Sequence, residues 1–411
     1  MKNITTKIVT LSFITATMLH ATNGDNLIAT GAKARAMGGV SIGMSQGSES
    51  GLSNPALITS VEGTEVSFGG TLFMPTIETS FNGAGLPPQS HVSDADTNMI
   101  PEVSIAHKIN DNWYIGVGMW GTAGMGVDYS KATFNPLQGQ LGNLNMVTNL
   151  QLLQFGVPIA YKTGGLSVAV TPLLQYGNLD INYQMPTPTG IANVGAGLAQ
   201  DFGFGYNLGI AYDFAQNDVQ GLTIGALYKS AIEMDYANQL TIATGPFNQP
   251  PFPNVLSSDI LEQPAEIGIG FSYVSGQHTF AMDYKVIQWS DAKGYGEFGW
   301  EDQDVYALGY QYETEAWALR AGYNHASSAV VEVRDPRLNF FNLLGFPANS
   351  EDHYTFGGTY NISKAFSMDL AYVYSPESSS TFNVAPLMPG VNSLTTLHEE
   401  TSLTFQLVYN F

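Results

Sequence analysis

Six consecutive residues of this chain have the spacing of a nucleotide site. Gly116-Val117-Gly118-Met119-Trp120-Gly121 is a literal G-x-G-x-x-G, the pattern that lets backbone approach a pyrophosphate at the start of a helix. That chemistry needs a helix opening at the glycines inside a parallel βαβ unit, and no helix signal follows until Asn135-Pro136. Glycines clustered in a strand have two other readings, a bulge or bend, and plain close packing. Asp94, Asp96 and Asn98 have the one-three-five spacing of a calcium loop, but Met99 stands where Gly is needed and Ile105 where Glu is needed. The histidines show neither HExxH nor zinc spacing, and there is no G-x-S-x-G. Nothing here argues for catalysis, a metal or a cofactor, although an outer-membrane lipid hydrolase could hide its triad across several strands.

The elements that would carry these residues are strands. In the last eleven residues Leu403, Phe405, Leu407, Tyr409 and Phe411 share one face, and Thr404, Gln406, Val408 and Asn410 share the other. Such period-two alternation marks a strand with one apolar face and one mostly polar face. The same pattern recurs upstream, most clearly where Phe202, Phe204, Tyr206, Leu208 and Ile210 oppose Gly203, Gly205, Asn207 and Gly209. Short turns near 110, 163, 216–220, 275–277, 313–315 and 361–364 alternate with long connections near 76–97, 123–146, 184–199, 237–260, 290–301, 326–350 and 376–396. Seven long and six short connections join about fourteen strands, an even number within the range of single-chain membrane barrels. A soluble sandwich has no reason to make every second connection long. In loop 123–146, Asn135 and Pro136 predict a short helix with Leu137, Leu141 and Leu144 on one face.

Composition agrees. Only 12% of residues are charged, about half the share usual in soluble proteins, while Tyr (21) and Phe (22) are abundant and Cys is absent. Lys2 and Lys7 precede an apolar run over residues 8–19, and Ala21 ends a cleavage site, so residues 1–21 read as a secretory signal peptide. Its removal leaves 12 basic against 35 acidic residues, a net charge of −23. Such a surface repels nucleic acid. Residues 22–63 break the barrel pattern and are rich in Gly, Ala, Ser and Asn. They read either as a plug packed in a confined space or as a disordered tail.

Several segments resemble a known family. Asn23-Gly24, Gly31-Ala32, Ala34-Arg35-Ala36-Met37-Gly38-Gly39 and Asn54-Pro55-Ala56 resemble the hatch of the FadL/TodX outer-membrane transporters for hydrophobic compounds. Gln263-Pro264-Ala265, Asp283-Tyr284, Trp289-Ser290, Leu319-Arg320-Ala321-Gly322-Tyr323-Asn324 and Gly357-Gly358-Thr359-Tyr360 continue the likeness in order. The resemblance implies an all-β fold, a monomeric transmembrane antiparallel β-barrel of about 14 strands (64–411) with an N-terminal hatch (22–63) inside the lumen. It implies uptake of long-chain fatty acids or hydrocarbons without a cofactor. Capture would occur in extracellular loops, followed by a lumen site and lateral exit through the wall. The general diffusion porin is the alternative.

Residue roles follow from the resemblance. Asn54, Pro55 and Ala56 belong to the hatch. Gly116, Gly118 and Gly121 lie on the third strand, where an inward kink would make the lateral exit. Ile191, Leu198, Phe247 and Phe252 lie in loops 184–199 and 237–260, the expected capture groove, and exposed apolar loop residues hint at binding. By alternation Lys229, Lys285 and Arg320 point into the lumen. They would either hold a fatty-acid carboxylate or close ion pairs with Glu266, Asp283 or Asp369. The surroundings would be outer-membrane lipid and lipopolysaccharide, with Phe411 addressing the barrel-assembly machinery.

Overall fold

A computed structural model describes residues 22–411 apart from 84–88, 136–141, 188, 249–253, 257, 386 and 388–389. The expected signal peptide, Phe252 and the body of the helix expected after Asn135 lie outside the described residues. Fourteen antiparallel wall strands follow in order: β1 Thr64–Asn82, β2 Asn98–Lys108, β3 Trp113–Asp128, β4 Asn145–Gly156 continued as Ile159–Thr163, β5 Leu166–Thr187, β6 Ala199–Asp213 and β7 Leu222–Lys229. The circuit continues with β8 Glu266–Ser275, β9 His278–Ile287, β10 Gln303–Glu313, β11 Trp317–Ala326, β12 Asp352–Asn361, β13 Phe366–Asn383 and β14 Ser393–Asn410. Each pairs with the next, and β14 pairs with β1 from Ser393↔Asn82 to Asn410↔Glu65. The seam is finished by main chain alone, since Thr64 N–H donates to Phe411 O (2.9 Å) and Phe411 N–H donates to Thr64 O (3.0 Å).

Closure satisfies the backbone groups that an open sheet edge would strand in lipid. Side chains then sort by face. Phe204, Ile269, Leu319 and Phe405 are exposed on the outer surface, while Thr404, Gln406, Asn207 and Asp369 are buried on the inner one. Two aromatic girdles border the apolar band, as interfacial rings prefer. Trp113 stacks on Tyr161 (5.0 Å between centroids) and Tyr312 on Trp317 (5.6 Å) at the short-turn end. Tyr284 meets Tyr306 (5.1 Å) and Tyr206 meets Tyr228 (6.1 Å) at the long-loop end. Among the described residues no helix is long and apolar enough to cross a membrane.

The strands run further outward than alternation indicates. The stretch expected as loop 376–396 is mostly strand, with β13 and β14 paired as far as Asn383↔Ser393 past a register shift between Ser375 and Ser378. Beyond the apolar band both faces of a strand are polar, so the period-two contrast fades while the ladder continues.

Residues 22–63 pack against the wall through hydrogen bonds and close backbone approaches. Their peptide N–H groups are taken by inward side chains of the wall. Asp283 accepts from Ser41 N (2.6 Å) and Ile42 N (2.7 Å), Thr355 Oγ1 from Gly38 N (2.9 Å), and Gln406 Oε1 from Ala32 N (2.9 Å). The segment carries α1, Ala32–Ala36, and a 3-10 turn, Pro55–Ser60, whose first N–H groups are met by Asn54 Oδ1 at Ala56 N (3.2 Å). Inward glycines let it press against backbone. A Cβ at Gly225 would sit 1.9 Å from Ile42 O, at Gly209 2.1 Å from Asn54 Oδ1, at Gly322 2.1 Å from Gly38 N and at Gly357 2.6 Å from Ala36 Cβ.

Candidate functional site: a cavity at a gap in the wall

The ladder opens between β2 and β3. β2 pairs with β3 only from Lys108↔Tyr114 to Glu102↔Trp120, although it stays paired with β1 as far as Asn98↔Phe73. Pro101, which has no N–H to donate, is the first residue past the last pair. β3 changes at the same level. It pairs with β4 at Gly121↔Leu153 and next at Ala123↔Leu152, so Thr122 is the extra residue of a bulge. A bulge reverses the facing of everything beyond it. Tyr114 and Trp120 point inward before it, and Val127 points inward after it. The connection preceding β2 meets β3 where Asp94 N–H donates to Asp128 O (2.8 Å). Between Trp120 and Asp128 the edge of β3 is therefore free of β2 for about 20 Å.

The amino-terminal segment lies along that edge. Asn26 bridges Ala123, and Gly124 N–H donates to Asp25 O (3.0 Å). The Asp25 carboxylate is held in turn by the long connections on the far side. It accepts from Gln263 Nε2 (3.0 Å) and from the Tyr295 hydroxyl. Asp25 lies outside the membrane-spanning strands, and burial pushes its carboxyl up to about 6, against the pull of those two hydrogen bonds. Glu49, also in this segment, accepts from Trp120 Nε1 (2.7 Å) and Gln406 Nε2 (2.8 Å). Burial and the charge of Glu102 push it up as well.

A cavity of about 490 Å³ occupies the gap. Its inner lining includes Ile77, Val127, Leu150 and Leu152, with Thr22, His398 and Glu400 at one end; its outer lining includes Leu153 and Tyr176, which lie on the outward faces of β4 and β5. The cavity thus has wall residues of both inward and outward facing in its lining. The outward apolar run of β4 gives way to Gln151 and Asn149, and that of β5 to Asn178 and Asp180, so the gap sits at the outer margin of the apolar band.

Its roof comes from the connection between β11 and β12. That connection carries helix α3, Pro336–Leu344, and helix α2, Gln239–Thr244, comes from the connection between β7 and β8. Asp335 caps α3 by accepting from Arg337 N (3.0 Å), and Pro336 takes the first turn. Phe340, Phe341, Leu343 and Leu344 are fully buried. Thr148 Oγ1 donates to Gly345 O (2.6 Å) and Thr396 Oγ1 to Leu343 O (2.8 Å), and Pro347 and Ala348 face the cavity. The Asp335-Pro336 start was available in the sequence. Burial all round α3, Arg337, Asn339 and Asn342 included, left no amphipathic stripe to point at it.

The residues singled out from sequence fall in different places. Asn54 donates from Nδ2 to Ile42 O (2.8 Å) and Ile210 O (3.1 Å), joining the amino-terminal segment to β6. Gly116 and Gly118 lie in regularly paired strand, where a Cβ at Gly118 would strike the Trp120 ring at 2.1 Å; Gly121 adjoins the bulge and the gap. Lys229 and Lys285 share Glu266, at 3.1 and 2.9 Å, beside a separate polar chamber of about 70 Å³. Arg320 donates to Gln311 Oε1 (2.6 Å) and Thr359 Oγ1 (2.7 Å) and lies 3.8 Å from Asp369, lining neither cavity. Ile191 and Leu198 are exposed on the outer connection between β5 and β6. Phe247 packs on Phe341 (5.2 Å) and Phe340 (5.5 Å). Thr122, Asp25, His398 and Glu400 were not foreseen. A bulge residue is defined by its partner strand, and the other three by contacts far apart in sequence.

Comparison with known proteins bears on the whole arrangement. The family model for outer membrane protein transport proteins (OMPP1/FadL/TodX) matches residues 14–411. A 47 kDa outer membrane protein of Pasteurella multocida is 23% identical over 370 residues, covering 80% of this chain and 81% of that one. The long-chain fatty acid transport protein of Salmonella typhi is 23% identical over 385 residues, covering 81% and 82%. The crystal structure of the Pseudomonas putida toluene transporter TodX superposes with a TM-score of 0.70 at 18% identity, covering 93% of this chain and 99% of that one.

Proposed function

We propose a route of uptake for this chain, which belongs to the OMPP1/FadL/TodX family and is accordingly an outer-membrane transport protein for hydrophobic compounds. A long-chain fatty acid or hydrocarbon is captured among the outer connections bearing Ile191, Leu198, Phe247 and Phe252. It passes beneath the α3 roof into the cavity, and leaves sideways between β2 and β3 into the lipid. Residues 22–63, with Asn54, Pro55 and Ala56, act as a hatch that closes the lumen to water, and residues 25–26 cover the gap until cargo displaces them. Gly121 shapes the exit by bordering the bulge; Gly116 and Gly118 support it by leaving room for Pro158 and for Trp120.

One observation carries this reading. A single cavity has inward wall residues on one side and outward wall residues on the other, at the place where the ladder opens. An apolar solute gains about 25 cal/mol for each Å² taken from water, so a lipid-facing exit draws it on, whereas an aqueous channel would not. No energy source is required. The shared ion pairs of Lys229 and Lys285 with Glu266 favour a structural role for these cations, and Arg320 belongs to the same class through Asp369.

The test is uptake in a bacterium lacking its own hydrophobic-compound channel, followed with labelled oleate, toluene and a small sugar. Oleate or toluene accumulation without sugar supports the route. Accumulation of sugar alone overturns it in favour of a diffusion porin.

A further inference from the structure

The opening between β2 and β3 has a sharp lower end. Glu102↔Trp120 is the last pair before it, and the next residue on each strand, Pro101 and Gly121, already lines the cavity. Pro101 explains why pairing goes no further. It does not explain why the pair beside it holds, since a ladder with a free end frays from that end.

Both side chains of that pair point inward, are buried, and are tied to the amino-terminal segment. Glu102 accepts from Gly31 N (2.8 Å) and from Arg35 Nη2 (3.2 Å). Trp120 donates its indole N–H to Glu49 Oε2 (2.7 Å). The other oxygen of Glu49, Oε1, lies 2.9 Å from the hydroxyl of Ser104, the next inward residue of β2. One carboxylate therefore bridges β2 and β3 directly beside the opening. The 3-10 turn that carries it, Gly47–Gly51, is itself fastened to two further strands. Ser48 N–H donates to Glu65 Oε1 on β1 (2.6 Å), and Gln406 Nε2 on β14 donates to Glu49 Oε1 (2.8 Å).

Geometry turns that bridge into a limit on cargo. Strands leaving a held pair diverge from it, so the width at any level depends on where the held pair lies. Loss of Glu102↔Trp120 would move the meeting point to Ser104↔Gly118, two residues or about 7 Å further along. Every level of the opening would then widen.

We propose, on the footing of the uptake route above, that Glu49 is a positioning residue for lateral exit: by joining Trp120 to Ser104 it fixes the lower end of the opening and so sets the bulk of hydrocarbon that can leave. Glu49 acts through the two strands and not on the cargo.

The test compares uptake of toluene with that of the broader hydrocarbon pyrene, in a bacterium lacking its own hydrophobic-compound channel. Trp120→Phe removes the indole N–H and keeps a ring. Parting of the pair then no longer breaks a hydrogen bond that weights the equilibrium about tenfold, so the pyrene-to-toluene ratio should rise by about that factor. Thr355→Val, which removes the acceptor of Gly38 N–H on β12, loosens the segment away from the opening and should leave the ratio as it is. A covalent tie should reverse the first effect. Val103 and Met119 are partners one residue from the held pair, at a separation a disulfide can span, and the chain has no cysteine of its own. With Val103→Cys and Met119→Cys added to Trp120→Phe, oxidation should return the ratio to the wild-type value and a reductant should raise it again. An unchanged ratio in folded Trp120→Phe, an equal rise in Thr355→Val, or a rise that oxidation does not reverse overturns the assignment of Glu49 and leaves the uptake route standing. If Trp120→Phe does not fold, as judged by heat-modifiable mobility, the cysteine pair in the otherwise wild-type chain decides. Its oxidation should leave toluene uptake unchanged; a loss of uptake means that the strands part there in every passage, which overturns a fixed lower end. Wild-type protein that takes up neither hydrocarbon overturns the uptake route itself, and the assignment with it.

Discussion

Acid should fasten the amino-terminal segment to the wall. Asp25 has an ordinary pKa of 3.8 and one of about 6 where it is buried against Gln263 and Tyr295. The docked carboxyl binds its proton more tightly than the free one, so protonation favours docking. The added stability is complete below the free value, 3.8, and is lost as pH rises through the docked value, about 6. Between pH 7 and pH 5 the linkage amounts to roughly tenfold in the docking equilibrium, about 1.3 kcal/mol. Gly124 N–H, which donates to Asp25 O, reports it directly. Its hydrogen-exchange protection, normalised to the intrinsic rate at each pH, should rise about tenfold on going from pH 7 to pH 5. Uptake should slow over the same interval. Asp25→Asn, which cannot titrate, should flatten both responses. Protection that does not change with pH, or that changes equally in Asp25→Asn, refutes the assignment of this carboxylate as the fastening.

Other perturbations act on the same parts. The absence of cysteine makes the pair Asn26→Cys with Ala123→Cys informative, because bridged antiparallel partners have a separation a disulfide can span; oxidation should stop uptake of labelled oleate or toluene, and a reductant should restore it. Arg35→Met should strand Glu102, its buried partner at 3.2 Å, and cost about 3–5 kcal/mol, read as a lowered denaturant midpoint for unfolding. Gly322→Val would put Cβ 2.1 Å from Gly38 N; it should displace residues 22–63 and raise ion conductance in a planar bilayer, and an unchanged conductance would count against a hatch that seals.

Much of the barrel can be read directly in the chain. Lipid on one side and lumen on the other force alternation, and β14 from Thr401 onward shows it residue by residue. The paired extension of β13 above the band cannot be read in this way, because Ser378, Ser379, Ser380 and Thr381 have no apolar contrast to reveal their facing. The site was only partly legible. Gly121 was marked by its cluster, and the inward direction of Lys229, Lys285 and Arg320 followed from parity. Their partners did not, since Glu266 meets Lys229 through strand neighbours 37 positions apart. Asp25 finds Tyr295 across 270 positions, and no local pattern encodes such a meeting. Thr122 looks like any strand residue until β4 is laid beside β3.

The bare strip of inward glycines has a consequence for how this protein can change over time. On the arc from β6 to β12 inward glycines bring the wall hard against its contents, and a new side chain at Gly209, Gly225, Gly322 or Gly357 acts as a wedge. The cavity is lined by the opposite arc, β14 and β1 to β5, together with the α3 connection and Thr22, Gly24 and Leu27 of the amino-terminal segment. One side of the barrel is a holster and the other a conduit. Drift in cargo preference is therefore open to the conduit, where residues such as Ile77, Leu150 and Glu400 can be exchanged one at a time, while the holster is held to glycine. A laboratory seeking a new cargo should randomise the conduit and leave the holster alone.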